Sequence, residues 1–214
     1  MTYYNNEKKK ANLALWEQVS KTNPAHTKPV SFGRGFTAID AHSQIMCATE
    51  AFGPVGIGWG YNVEYKIDDK MLIAFVSIWQ QDHANSFGPI CSIAPLYNKK
   101  GQLDDDAGKK AMTDALTKGL SHLGFNADVF LGKFDDNKYV NERNIEIQKE
   151  QIAEIPLPKD VKKYVEEAKK LKTLKELESH WEEMKKIQKN TDPKVFIKVK
   201  GIITELVNNI KTTK

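Results

Sequence analysis

The chain reads as an α+β protein: a helix, a three-stranded antiparallel β-meander and a long helix form the core, with a small α-helical C-terminal extension. Three observations predict this. From Gly58 the apolar residues alternate, and the run folds back at Asp68-Asp69-Lys70 into the apolar stretch Met71–Gln81, the pattern of a hairpin. Next, Ala111, Met112, Ala115, Leu116, Gly119, Leu120 and Leu123 recur at helical spacing and make one apolar stripe. Beyond residue 160 the chain is rich in Lys and Glu, with apolar residues at intervals of three and four. At 214 residues it has room for one good-sized core and an appendage. The predicted organisation is a core over 1–140, a polar linker with a helical piece over 141–159, and a helical region over 160–214.

In chain order, residues 5–19 predict a short helix offering Leu13, Leu15, Trp16 and Val19 for packing. Thr22 to Ser31, with Pro24 and Pro29, is a connection. Ser31-Phe32-Gly33-Arg34-Gly35-Phe36 then sets an arginine between glycines ahead of a second helix. Thr37 is its expected cap, with Asp40 in a capping-box position. Ala38, Ala41, Ile45, Ala48 and Phe52 form its apolar face, and Gly53-Pro54 ends it. A glycine-rich loop at a helix N-terminus can hold a phosphate through backbone amides.

In the first strand Trp59, Tyr61, Val63, Tyr65 and Ile67 face one way. Core packing explains that aromatic face more simply than base stacking by Trp59 or Tyr61. After a polar connection, Asp82 to Ser86, Pro89 to Tyr97 predicts a third, shorter strand whose prolines suit an edge. Asn98-Lys99-Lys100-Gly101 is a basic turn into the long helix. Asp104, Asp105 and Asp106 are read as its cap and as favourable charge at its positive end. Gly124 is the expected left-handed C-terminal residue. Opposite the apolar stripe, Lys110, Asp114 and Lys118 form one row, with Thr113, Thr117 and Ser121 beside it. Such a face can accept phosphates. At the C-terminus Thr173 and Asp192-Pro193 start helices, and three short helices are expected to close on Trp181.

Charge and composition exclude several classes. The net charge is only +4, so a nucleic-acid site must come from local clustering. No apolar run approaches a membrane span, and the opening MTYYNNEKKK lacks a signal region, so a cytoplasmic protein is expected. Cys47 and Cys91 lie in apolar surroundings and are read as buried thiols. The five histidines form no H-x-x-x-H pair, and G-x-x-x-x-G-K-(S/T) is absent, so neither a metal nor a nucleotide cofactor is expected.

The stretch K-K-A-M-T-D-A-L-T-K-G-L-S-H-L-G-F (109–125) resembles the signature helix of the Rad-fifty-two-like single-strand annealing proteins. F-T-A-I-D-A-H-S-Q-I-M-C-A-T-E-A-F-G-P-V-G-I-G-W (36–59) resembles that family's earlier helix and the start of its first long strand, and G-F-N-A-D-V-F-L-G…D-x-x-Y (124–139) its exit from the signature helix. The resemblance covers about residues 30–140 and is nearest to phage proteins of the Sak and ERF type, which would place the chain in a bacterial host's cytoplasm. It implies a non-enzymatic, ATP-independent protein of recombination and repair that binds single-stranded DNA and anneals complementary strands, assembled as a ring or helical arc. The implied DNA contacts are Arg34 before the first core helix, Lys99 and Lys100 in the basic turn, and Thr117 and Lys118 at the two groove positions. Lys109 and Lys110 extend the same side. The C-terminal helices would engage a single-stranded DNA-binding protein or an exonuclease, or add a nonspecific cationic contact. Two other classes compete: an oligomeric protein-binding adaptor, and a metal-dependent nuclease using Asp104–Asp106 with Glu50 or Glu64.

Overall fold

The computed structural model describes residues 6–31, 35–187 and 191–212. Its chain separates into two compact units, Met1–Arg143 and Asn144–Lys214.

The first unit is α+β. It opens with α1 (Asn6–Val19) and a hairpin of β1 (Thr27–Val30) and β2 (Phe36–Ile39) leading into α2 (Ala41–Phe52). Then come the antiparallel strands β3 (Trp59–Asp68), β4 (Met71–Gln80) and β5 (Asp82–Pro95), paired in the order β3-β4-β5. α3 (Ala107–His122) lies on one face of this sheet and is followed by α4 (Ala127–Phe130) and by α5 (Asn137–Glu154), which belongs to this unit up to Arg143 and to the second unit from Asn144. Pairing of Val63 with Val76, and of Val76 with Ile90, stacks β-branched side chains beneath α3. The core joins Trp59, Val76, Ile78, Leu116, Leu120 and Phe125 to Ala48 of α2. Gly119 lets the helix approach closely, since a Cβ there would stand 2.8 Å from Ile78 Cδ1.

Gly124, at φ +102°, ends α3 as expected. The N–H of Phe125 donates to Leu120 O and that of Gly124 to Ser121 O, the two bonds of a Schellman motif. The aspartates at the other end act differently from expectation. Asp106 already has helical backbone angles and makes no side-chain capping bond. Asp104 instead accepts the Asp106 N–H and stabilises the turn before the helix.

Other expectations are corrected. Thr37 does not begin a helix: residues 36–39 pair with 27–30, and Asp40 is the N-cap of α2, accepting the His42 N–H at 2.9 Å. Gly35 leads into a strand and not into a helix N-terminus, while Gly33 and Arg34 lie outside the described residues. The third strand starts at Asp82, not Pro89, and crosses Ser86 with shifts of register. Its polar first half fits an edge strand, where only one side must pair. Most of the expected linker, from residue 141 to Glu154, continues α5. Cys91 is exposed and Cys47 half-buried, so neither is a fully buried thiol; burial, then Glu50, pushes the Cys47 thiol up.

The second unit packs α6 (Lys159–Ala168), α7 (Leu174–Ile187) and α8 (Pro193–Thr212) around Val161, Val165, Leu177, Met184, Val199 and Ile203. Trp181 sits at the margin of this core, with its ring 5.2 Å from that of Phe196. Thr173 starts α7 through a capping box: its hydroxyl accepts the Glu176 N–H, and the Glu176 carboxylate accepts the Thr173 N–H. The Lys198 ammonium donates to Ala153 O and Ile155 O, placing a cation at the negative end of α5. No helix among the described residues is long and apolar enough to cross a membrane.

Candidate functional site

α3 buries one face in the sheet and leaves its polar face beside the β1–β2 hairpin and α2. Between these elements lies a cleft of about 1030 Å³. Phe36 and Ile39 of β2, Ile45 of α2, Tyr61 of β3, Met112 and Leu116 of α3, and Phe130 of α4 supply its apolar walls. Lys109, Lys110, Thr113, Asp114 and Thr117 supply its polar side. Three of the sequence-predicted contacts, Lys109, Lys110 and Thr117, therefore come together on one cavity. The aromatic walls were not anticipated, because Phe36 and Phe130 belong to short segments whose pairing is non-local. Phe36 is 56% exposed although it is large and apolar.

The α3 lysines meet carboxylates of their own segment. Lys109 Nζ lies 2.7 Å from Asp106, Lys110 Nζ 2.7 Å from Asp104 and Lys118 Nζ 2.9 Å from Asp114. The Lys110 contact holds the Asp104 carboxyl below its ordinary value and raises the Lys110 ammonium above its own. Partial burial pushes the Asp114 carboxyl up, but the Ser92 hydroxyl, donating at 2.5 Å, and the Lys118 ammonium outweigh it, so the group titrates below its ordinary value. Thr117 turns its hydroxyl back to Thr113 O and Asp114 O, and Ser121 turns its own to Lys118 O. The expected row of open hydroxyls and cations is thus a ridge of internal pairs, in which each lysine meets an aspartate.

The basic turn differs. Asn98 Oδ1 accepts the N–H groups of Lys100 and Gln102, and Gly101 closes the turn at φ +76°. Lys99 and Lys100 are exposed on this frame, and neither forms an ion pair among the described residues. The Tyr97–Leu103 bridge closes the base of this turn. Arg34 lies outside the described residues. Trp59 is fully buried and donates its indole N–H to Thr49, so it is core rather than a stacking platform. Tyr61 lines the cleft.

A second polar cluster escaped the sequence reading. Asp128, 2% exposed, accepts the N–H and hydroxyl of Thr22, the N–H of Val129 and the hydroxyl of Tyr139. Arg143, also buried, donates to Thr22 O. This knot fastens the segment after α1 to α4 and α5. The one available signal was an aspartate inside the apolar run Ala127–Leu131. Among the described residues, the acidic group compact enough for a cation is Asp104, Asp105 and Asp106; Glu50 and Glu64 are not part of it. Two of its three carboxylates are engaged by lysines. No protein-family model matches the chain, and a search of curated proteins finds no significant match.

Proposed function

We propose that the chain binds single-stranded DNA and anneals complementary strands without ATP, working as a homo-oligomer in recombination or repair and carrying out no covalent chemistry. The observation that carries this reading is the arrangement of elements. The T-D-A-L helix α3 crosses one face of a three-stranded meander, after α2 and the G-I-G-W stretch, in the order the resemblance implies. Its polar side borders the cleft, and the turn that feeds it carries two exposed lysines that form no ion pair among the described residues. Annealing requires phosphates to be held while base edges stay accessible, so sequence-tolerant electrostatic contacts are the appropriate chemistry. Lys99 and Lys100 are the first contacts for an incoming strand. Lys109, Lys110 and Lys118 join once phosphates displace Asp106, Asp104 and Asp114. Solvent screens such surface pairs, so the exchange is inexpensive.

The test mixes the protein with two complementary fluorescent oligonucleotides, without ATP or metal, at two salt concentrations. Pairing faster than that of protein-free DNA, and weakening with salt, is the expected result. Strand binding with no gain in pairing rate overturns annealing. The mainly apolar cleft favours a second reading, an oligomeric protein-binding adaptor; protein with no affinity for DNA at low salt is its signature.

A further inference from the structure

The net charge of the chain lies in one place. Residues 1–143 hold 16 Lys and Arg against 16 Asp and Glu, whereas residues 144–214 hold 16 against 12. Within the second unit, residues 159–175 hold 7 lysines and 3 acidic residues. That excess equals the +4 of the whole protein.

Folding presents these lysines together. α6 buries Val161, Val165 and Ala168 and half-buries Tyr164. Helical spacing then sets Lys159, Lys163 and Lys170 on the opposite side, with Lys162 and Lys169 flanking them. Lys172 and Lys175 continue the series through the turn into α7, and all seven are exposed. Lys163 and Lys169 meet Glu167 and Glu166. Lys159, Lys162, Lys170, Lys172 and Lys175 form no ion pair among the described residues. This is the reverse of α3, where every lysine is matched. The negative end of α6 explains why Lys169 and Lys170 are favourable there, but not Lys159, Lys162, Lys172 or Lys175.

We infer that the second unit carries a nucleic-acid backbone site of its own, a lysine ridge along α6 and the turn into α7 that holds duplex as well as single-stranded DNA through phosphates alone. The dimensions fit. Lys159 to Lys169 spans about 15 Å of helix, over which one strand of B-DNA sets roughly four or five phosphates. The ridge presents no free aromatic face, since the Tyr164 ring stacks on His180 with centroids 4.0 Å apart. Without a stacking platform, nothing on it selects unpaired bases. The inference stands without the annealing reading, because a phosphate ridge needs no strand pairing.

The experiment uses the full chain and a labelled 30-base-pair duplex, with binding followed by anisotropy between 50 and 200 mM salt. Replacing Lys159, Lys162, Lys170, Lys172 and Lys175 with glutamine is expected to reduce the salt slope by about 0.9 for each phosphate that is no longer neutralised. A control replaces five exposed lysines elsewhere, Lys8, Lys9, Lys10, Lys194 and Lys200, and is expected to retain most duplex affinity. The inference is overturned if wild-type protein has no duplex affinity at 50 mM salt, if the ridge variant binds as wild type does, or if the control loses as much. An acidic peptide that occupies the ridge while duplex DNA does not also overturns it. Circular dichroism separates these outcomes from misfolding. Duplex binding without accelerated annealing keeps this inference and sinks the annealing reading.

Discussion

Asp128 is the residue on which the first unit's polar interior depends, and replacing it tests that account. Its carboxylate accepts four hydrogen bonds, from Thr22 N at 2.9 Å, Thr22 Oγ1 at 2.5 Å, Val129 N at 2.9 Å and Tyr139 Oη at 2.8 Å. In Asp128→Ala these donors lose their acceptor, the two from Thr22 and the one from Val129 at buried positions. A buried donor left unsatisfied costs about 1–3 kcal/mol. The two hydroxyls can rotate toward other acceptors, so the sum falls short of four full penalties. A loss of about 3–5 kcal/mol follows from the donors left unsatisfied. That is a large part of the roughly 5–15 kcal/mol that stabilises a domain. Tyr139→Phe removes one bond and should cost about 1 kcal/mol. Urea unfolding followed by circular dichroism gives both values from shifts of the midpoint. If Asp128→Ala costs no more than Tyr139→Phe, the knot is not what holds the segment after α1 to α4 and α5.

Three further outcomes are expected. Replacing Lys99 and Lys100 with glutamine should lower the salt slope of single-stranded DNA binding by about 1.4, at about 0.7 per neutralised phosphate; an unchanged slope removes the turn from the site. Gly58→Ala would set a Cβ 2.0 Å from Phe52 O, backbone that cannot swing aside. The overpacking should cost about 1–3 kcal/mol or more, and a melting temperature equal to wild type would refute that close approach. For pH, Asp104 and Asp114 titrate lower in the folded chain than their ordinary 3.8. Their stabilisation is therefore present above that value and is lost as pH falls through the folded one. Asp114→Asn should flatten the loss of stability below about pH 4; urea midpoints that fall with the same slope in both proteins would reject the assignment.

Local patterns were legible in the sequence, and non-local pairing was not. Alternation over Trp59–Asp68 and Met71–Gln80 fixes which side chains face α3, and Asp69, at φ +52°, makes the turn where Asp68-Asp69-Lys70 places it. The stripe from Ala111 to Leu123 gives α3 because apolar spacing and Gly124 agree. Thr37 misled because a capping-box spacing also fits a four-residue strand, and only pairing with residues 27–30 decides between them. Asp82 to Ser86 looked like a connection because an edge strand tolerates polar side chains. α5 looked like a linker because it buries little of itself, Arg143 being its one fully buried side chain. At the site, the Asp114–Lys118 pair was readable from a spacing of four. The Asp104–Lys110 pair spans six residues across a turn and required the fold.

That second pair decides how the α3 ridge is expected to work. Four aspartates, at 104, 105, 106 and 114, stand among three lysines, so the ridge attracts phosphate only by exchanging one anion for another. A site built this way would bind weakly and release readily, as the proposed annealing requires. Replacing Asp104 and Asp106 with asparagine frees Lys110 and Lys109 while preserving side-chain size. These pairs are screened by solvent, so single-stranded DNA affinity should rise only severalfold, with a steeper salt dependence. Under the annealing proposal, the same change should slow release of paired strands, because the strand no longer has an internal competitor. Anisotropy titrations measure the first effect and release of labelled duplex the second. If the double variant binds no more tightly than wild type, the lysines of α3 do not face the strand, and the contact of the first unit must be sought at the turn of Lys99 and Lys100.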